Sequence, residues 1–121
     1  MRRESATVTE LSRVELLAGL PGETLTRLGE RMERQDIAPG ERIVLEGDEG
    51  DRFYVVLSGL LGATQAERGP RAMLRPGAYF GEVALLMNMP RTASVQAITP
   101  ATVASCDRET FEELVKPLFT D

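Results

Sequence analysis

Phe80-Gly81-Glu82-Val83-Ala84-Leu85-Leu86-Met87-Asn88-Met89-Pro90-Arg91-Thr92-Ala93-Ser94-Val95 is the stretch that breaks the pattern of the sequence around it. Residues 82–87 have helix-forming composition and follow a glycine, yet they are too few for an ordinary helix. They predict a single turn or so inserted between strands. A short helix start exposes backbone N–H groups that lack internal partners, and such groups attract anions. Nine residues after Glu82 comes Arg91, whose planar fork of donors can grip two phosphate oxygens. Thr92 adds a hydroxyl. The set suits a sugar phosphate, with amides and Arg91 on the anion and the Glu82 carboxylate accepting from a ribose hydroxyl. Two or three charge-assisted hydrogen bonds at roughly 1.5–3 kcal/mol each, with apolar contact to a base, reach about 8 kcal/mol, which is micromolar binding. An internal Glu82–Arg91 salt bridge uses the same two side chains equally well, and spacing alone does not choose between them.

On either side of this stretch, from residue 34 to residue 107, short β-rich runs alternate with glycine turns. Residues 43–45 run into Glu46-Gly47-Asp48-Glu49-Gly50-Asp51, and residues 53–57 into Ser58-Gly59. Residues 60–66 run into Arg68-Gly69-Pro70, and residues 72–74 into Arg75-Pro76-Gly77. Residues 93–97 and 101–106 flank Thr99-Pro100. Turn signals about every eight to twelve residues predict a sandwich, roll or barrel rather than βαβ units. Gly40, Gly47, Gly50 and Gly59 are expected to form turns.

Helical signals lie at the ends. Residues 1–11 are polar and carry no clear periodicity, so a flexible tail is expected there, with one domain over residues 12–121. Ser12-Arg13-Val14-Glu15 reads as a capping box opening a short helix that ends near Gly19. After Pro21 and Gly22, Leu25, Leu28 and Met32 share one face of a second helix. Asp107 reads as the N-cap of a third, with Phe111, Leu114, Val115 and Leu118 at helical spacing and Pro117 disturbing or ending it.

Composition closes several functional classes. A length of 121 residues with 42% hydrophobic and 27% charged residues fits one compact domain. Net charge is −5, which argues against nucleic-acid binding by this segment. No apolar run approaches the ~20 residues of a membrane helix, and no apolar stretch follows the basic N-terminus, so a cytoplasmic location without membrane contact is expected. With one cysteine and no histidine, a Cys/His zinc site and any His-based triad are ruled out. No catalytic residue, metal or enzymatic activity is expected, and Cys106 reads as a buried core thiol.

The segment Phe80-Gly81-Glu82-Val83-Ala84-Leu85-Leu86 followed by Pro90-Arg91-Thr92-Ala93-Ser94-Val95 resembles the phosphate-binding cassette of cyclic-nucleotide-binding domains. That family includes regulatory subunits of cyclic-nucleotide-dependent kinases, cyclic-nucleotide-gated channels and the bacterial catabolite activator. Gly40-Glu41 with Ile43, then residues 46–59, are similar to its glycine-rich turn and strand signature, and Leu17-Ala18-Gly19-Leu20 with Leu25 and Leu28 to its N-terminal helices. The resemblance covers residues 13–118.

It implies a mainly β fold with flanking α: a jelly-roll-like β-roll, cupin-like, with N-terminal helices, a short helix inside the cassette and a C-terminal helix. It implies a ligand site at Phe80, Gly81, Glu82, Val83, Ala84, Leu85, Arg91, Thr92 and Ala93. In it Gly81 lets the backbone approach the ligand, and Glu82 accepts from the ribose 2′-hydroxyl. The amides of Ala84 and Leu85 meet the phosphate, Arg91 pairs with its charge, and Thr92 touches phosphate or guanine. Val55 and Met73 are expected to face the base. The implied ligand is a cyclic mononucleotide, cAMP favoured over cGMP, with no other cofactor, and a bacterial source is expected. The implied function is a regulatory module that passes occupancy to its flanking helices and on to an effector domain in the same polypeptide or a protein partner. The alternative is a same-fold interaction domain that binds no nucleotide. Family members usually continue into a further helix that closes over the base. The sequence ends at Asp121, which leaves a fragment, a lid from elsewhere or an open site as readings.

Overall fold

The structure, a computed structural model, describes residues 5–119. Three short helices come first: α1 (Val8–Ser12), α2 (Glu15–Ala18) and α3 (Gly22–Arg31). Eight strands follow: β1 (Glu33–Ile37), β2 (Arg42–Val44), β3 (Arg52–Ser58), β4 (Leu61–Gln65), β5 (Gly69–Leu74), β6 (Tyr79–Phe80), β7 (Ser94–Ala97) and β8 (Ala101–Asp107). Helix α4 (Glu82–Leu86) stands between β6 and β7, and α5 (Arg108–Thr110) opens the C-terminal helical segment. The strands form two four-stranded antiparallel sheets, ordered β1-β8-β3-β6 and β2-β7-β4-β5. This is the β-roll with flanking helices that the sequence implied.

Alternation along β3 organises the core. Phe53 and Val55 face the helices, in a cluster with Leu11, Leu17, Leu28, Phe111 and Val115. Tyr54 and Val56 face the roll interior, in a second cluster with Leu61, Phe80, Val95 and Val103. Successive residues of a strand point to opposite faces, so a strand covered on both faces reads as an unbroken apolar run. Residues 53–56 are such a run, and all four are buried.

Several expectations need correction. The capping box is Thr7 with Glu10, not Ser12 with Glu15: Glu10 N–H donates to the Thr7 hydroxyl at 3.1 Å, and Thr7 N–H to the Glu10 carboxylate at 3.0 Å. Ser12 closes α1, its hydroxyl donating to the Thr9 carbonyl. The expected tail over residues 1–11 therefore does not hold from residue 5 on. Ser5 bridges to Glu33, Ala6 is buried and Leu11 is fully buried against the core; residues 1–4 lie outside the described residues.

The C-terminal segment starts at its expected cap, Asp107 accepting from Thr110 N–H at 2.9 Å. It then widens into a π-helical turn (Phe111–Val115), closed by Lys116 N–H bonding Phe111 five residues back, and tightens into a 3₁₀ turn (Lys116–Leu118). Pro117 has no N–H to give an α-helical bond, which accounts for the change of winding. Glu113 pairs with Arg27 and, at 2.8 Å, with Arg31, tying this segment to α3.

Candidate ligand-binding site

The candidate site lies where β6 passes into α4. Gly81 joins them at φ +94, a left-handed conformation that disfavours a side chain. Space forbids one too: a Cβ there would lie 2.7 Å from Arg91 Nη1 and 2.8 Å from the Arg52 carbonyl.

Arg91 is held through backbone and side chain. Its N–H donates to Asp48 O at 2.8 Å, and its carbonyl accepts from Gly47 N–H at 2.9 Å, so the loop before β3 grips it from both sides. Its Nη1 donates to Gly81 O at 3.2 Å and its Nη2 to Arg52 O at 2.9 Å. The guanidinium carbon sits 5.8 Å from the Tyr54 ring centroid. Only 7% of the residue is exposed, and its Nε is buried without a hydrogen-bond partner. Burial lowers its pKa, partly offset by attraction to Tyr54, Asp51 and Glu82. The Glu82–Arg91 salt bridge left open by the sequence is not among the ion pairs of the described residues.

Glu82 is half-buried. Burial pushes its carboxyl pKa up, while its own N–H, that of Val83 and the charge of Arg91 pull it back. Glu82 and Arg91 line one cavity of about 110 Å³, together with Phe80, Gly81, Val83, Ala84, Thr92 and Ala93. The roughly 150 Å³ cavity known to admit a benzene-sized ring sets the scale. Leu85, the remaining expected site residue, turns its side chain into the helix-side core, so only its backbone is available to a ligand.

The sequence reading missed the walls. Val44, Ala63, Leu74 and Val95 complete the cavity, and their alternate positions in strands were the available signal. The two residues expected to face a base do not line it. Val55 is fully buried on the helix side of β3, and Met73, one residue before Leu74 on β5, is 53% exposed on the opposite face. Gly50, expected as a turn former, has no positive φ, unlike Gly40, Gly47 and Gly59; it is small because Arg91 lies against it. A larger cleft of about 620 Å³ behind the cassette is lined by Glu49, Asp51 and Arg108 among others. That cleft carries two carboxylates beside Arg108, whereas the smaller cavity carries one, Glu82, beside Arg91. Cys106 is the core thiol expected, fully buried, with its pKa pushed up to about 12 by burial.

The site is wired to both flanking helical regions. Leu85 of α4 packs in one cluster with Leu11, Leu17, Phe111, Leu114 and Val115. Arg108 of α5 donates to the carbonyls of Leu85 and Gly50, each at 3.3 Å. Among the described residues, no helix is long and apolar enough to cross a membrane.

Comparison with known proteins agrees with this geometry. The family model for the cyclic nucleotide-binding domain matches residues 34–117. A cAMP-dependent protein kinase regulatory subunit of Yarrowia lipolytica is 38% identical over 109 residues, covering 89% of this chain and 29% of its own length. The regulatory domain of Toxoplasma gondii PKA, crystallised with cAMP, superposes with a TM-score of 0.85 at 29% identity, covering 92% of this chain and 44% of that one. The regulatory subunit of a cAMP-independent protein kinase A from Trypanosoma cruzi, bound to guanosine, has a TM-score of 0.83 at 27% identity, covering 92% and 41%. This chain thus spans less than half of each, and all three sources are eukaryotic, where a bacterial one was expected. The cassette, the roll that carries it and the match over most of its length agree, and the chain belongs to the cyclic nucleotide-binding domain family.

Proposed function

We propose that this domain is a non-enzymatic sensor that binds a cyclic mononucleotide in the cavity between Glu82 and Arg91 and passes occupancy to its flanking helices. One observation carries the reading: Arg91 is a buried cation with no carboxylate ion pair among the described residues, and it lines the same cavity as Glu82. A buried charge is costly until it meets an opposite one, and the cyclic phosphate supplies that charge. Glu82 accepts from the ribose 2′-hydroxyl, and Gly81, Val83, Ala84, Thr92 and Ala93 close around the ring. The amides of Ala84 and Leu85 add to the phosphate contact. The apolar walls of Phe80, Val44, Leu74 and Val95 suit an uncharged base at the mouth.

We favour cAMP over cGMP, because relatives named for cAMP match this chain at 38% identity in sequence and at a TM-score of 0.85 in structure. Transmission runs through Leu85 and Arg108 to the helices at both ends. The receiver is an effector domain in the same polypeptide or a protein partner, in the cytoplasm.

Calorimetric titration with cAMP, cGMP and guanosine tests the reading. Micromolar or tighter binding of a cyclic nucleotide is expected, with Arg91→Ala weakening it at least tenfold. The guanosine-bound relative gives the alternative its form: guanosine binding that Arg91→Ala leaves intact would replace the phosphate clamp with a nucleoside site.

A further inference from the structure

We propose that Tyr54 is a positioning residue for the phosphate-binding guanidinium of Arg91, acting through its ring face; this rests on the reading that Arg91 takes the ligand's phosphate. Tyr54 points into the roll from β3, directly opposite Phe80 on β6. The two rings are parallel within 2° and their centroids are 4.8 Å apart. Two paired strands therefore fix the plane on which Arg91 rests, and the guanidinium carbon lies 5.8 Å from the Tyr54 centroid. That is within the range of cation–π attraction.

The choice of an aromatic ring has a chemical reason. Arg91 spends one donor on Gly81 O and one on Arg52 O, neither of them charged. A carboxylate in Tyr54's place would hold the guanidinium more strongly, but it would neutralise the cation and repel an incoming phosphate. A ring holds the cation through its quadrupole and leaves the net positive charge available. Gly50 and Gly81 confine the guanidinium closely, with Cβ positions 2.5 Å and 2.7 Å from its nitrogens. Phe80 serves twice, as the partner ring of Tyr54 and as a wall of the ligand cavity.

The test is a double-mutant cycle on the full 121-residue chain, with cAMP as the probe. Tyr54→Phe keeps the ring and should bind within about twofold of the parent, while Tyr54→Leu should weaken binding about 3- to 30-fold. In an Arg91→Ala background, Tyr54→Leu should have no further effect. If Arg91→Ala weakens binding and Tyr54→Leu weakens it as much again in that background, the positioning role is wrong. If cAMP does not bind, or Arg91→Ala leaves its affinity unchanged, the phosphate reading itself has failed. Should Tyr54→Leu not fold, a series of increasingly fluorinated phenylalanines at position 54 weakens the ring quadrupole at nearly constant size. Affinity falling stepwise at constant melting temperature supports the proposal, and a flat affinity across the series overturns it.

Discussion

Gly50 has no room for a side chain because Arg91 already fills the space: a Cβ built on it would lie 2.5 Å from Nε, 2.6 Å from Cζ and 2.8 Å from the Ala84 methyl. The backbone of Gly50 needs no left-handed turn, so sterics alone require a glycine here. Gly50→Ala should push Arg91 out of its seat, lowering cyclic-nucleotide affinity at least tenfold and stability by about 1–3 kcal/mol. Gly40→Ala is the control. Gly40 sits at φ +83 with open space around its Cβ, so strain of about 1–2 kcal/mol lowers stability and leaves affinity intact. Calorimetry and urea unfolding of the two variants separate the effects.

Glu82 should weaken the fold it serves at neutral pH. Burial raises its pKa, so between the unfolded and folded values the native state holds more protons, and stability falls as pH rises through that window. Above the window the penalty stays. Glu82→Gln keeps an acceptor for the Val83 N–H and removes the charge. Its melting temperature should exceed the parent's at pH 7 and match it at a pH below the carboxylate range. Glu82→Ala, which removes the acceptor altogether, should lose the preference for nucleotides carrying the ribose 2′-hydroxyl over their 2′-deoxy forms.

Asp107 has the opposite sign. The Thr110 N–H and hydroxyl hold its carboxyl below the usual carboxylate range. Its contribution is present above the unfolded pKa and lost as pH falls through the folded one. Asp107→Ala removes the helix cap and should lower stability at pH 7 by about 1 kcal/mol. Asp107→Asn retains an acceptor and should fall between the two. Urea midpoints at pH 7 and at low pH check the ranking and the loss of the parent's advantage over Asp107→Asn in acid.

Arg108 carries hydrogen bonds from the C-terminal segment to Leu85 of the cassette helix and to Gly50, which lies against Arg91, and it lies 3.8 Å from Glu112 one turn on. Arg108→Ala should leave cAMP affinity within about threefold of the parent but loosen the connection. In the parent, cAMP should increase hydrogen-exchange protection over residues 108–118. In the variant that increase should shrink by at least half, and an unchanged increase would mean that packing of Leu85 alone carries the signal.

Local chemistry was legible where neighbours in sequence are neighbours in space. The cassette turn follows from Gly81 and a helix-forming run, the cap from Asp107, the glycine turns from their composition, and the buried faces from the spacing of Leu25, Leu28 and Met32. Two strands escaped that reading for a physical reason. In β1 only Ile37 is buried, and the strand exists because β8 supplies its hydrogen bonds; β6 has two residues and leans on β3.

The sequence by itself determined the family of shapes and set one carboxylate, Glu82, nine residues before one guanidinium, Arg91. Only the tertiary structure decided that Tyr54 rather than Val55 faces the roll interior, that Leu74 rather than Met73 lines the cavity, and that Gly50 is small because Arg91 lies against it. Which face of a strand is inward, and which distant backbone presses on a given side chain, depends on pairing between segments far apart in the chain. A one-residue change of register reverses every such assignment, and composition holds no record of it.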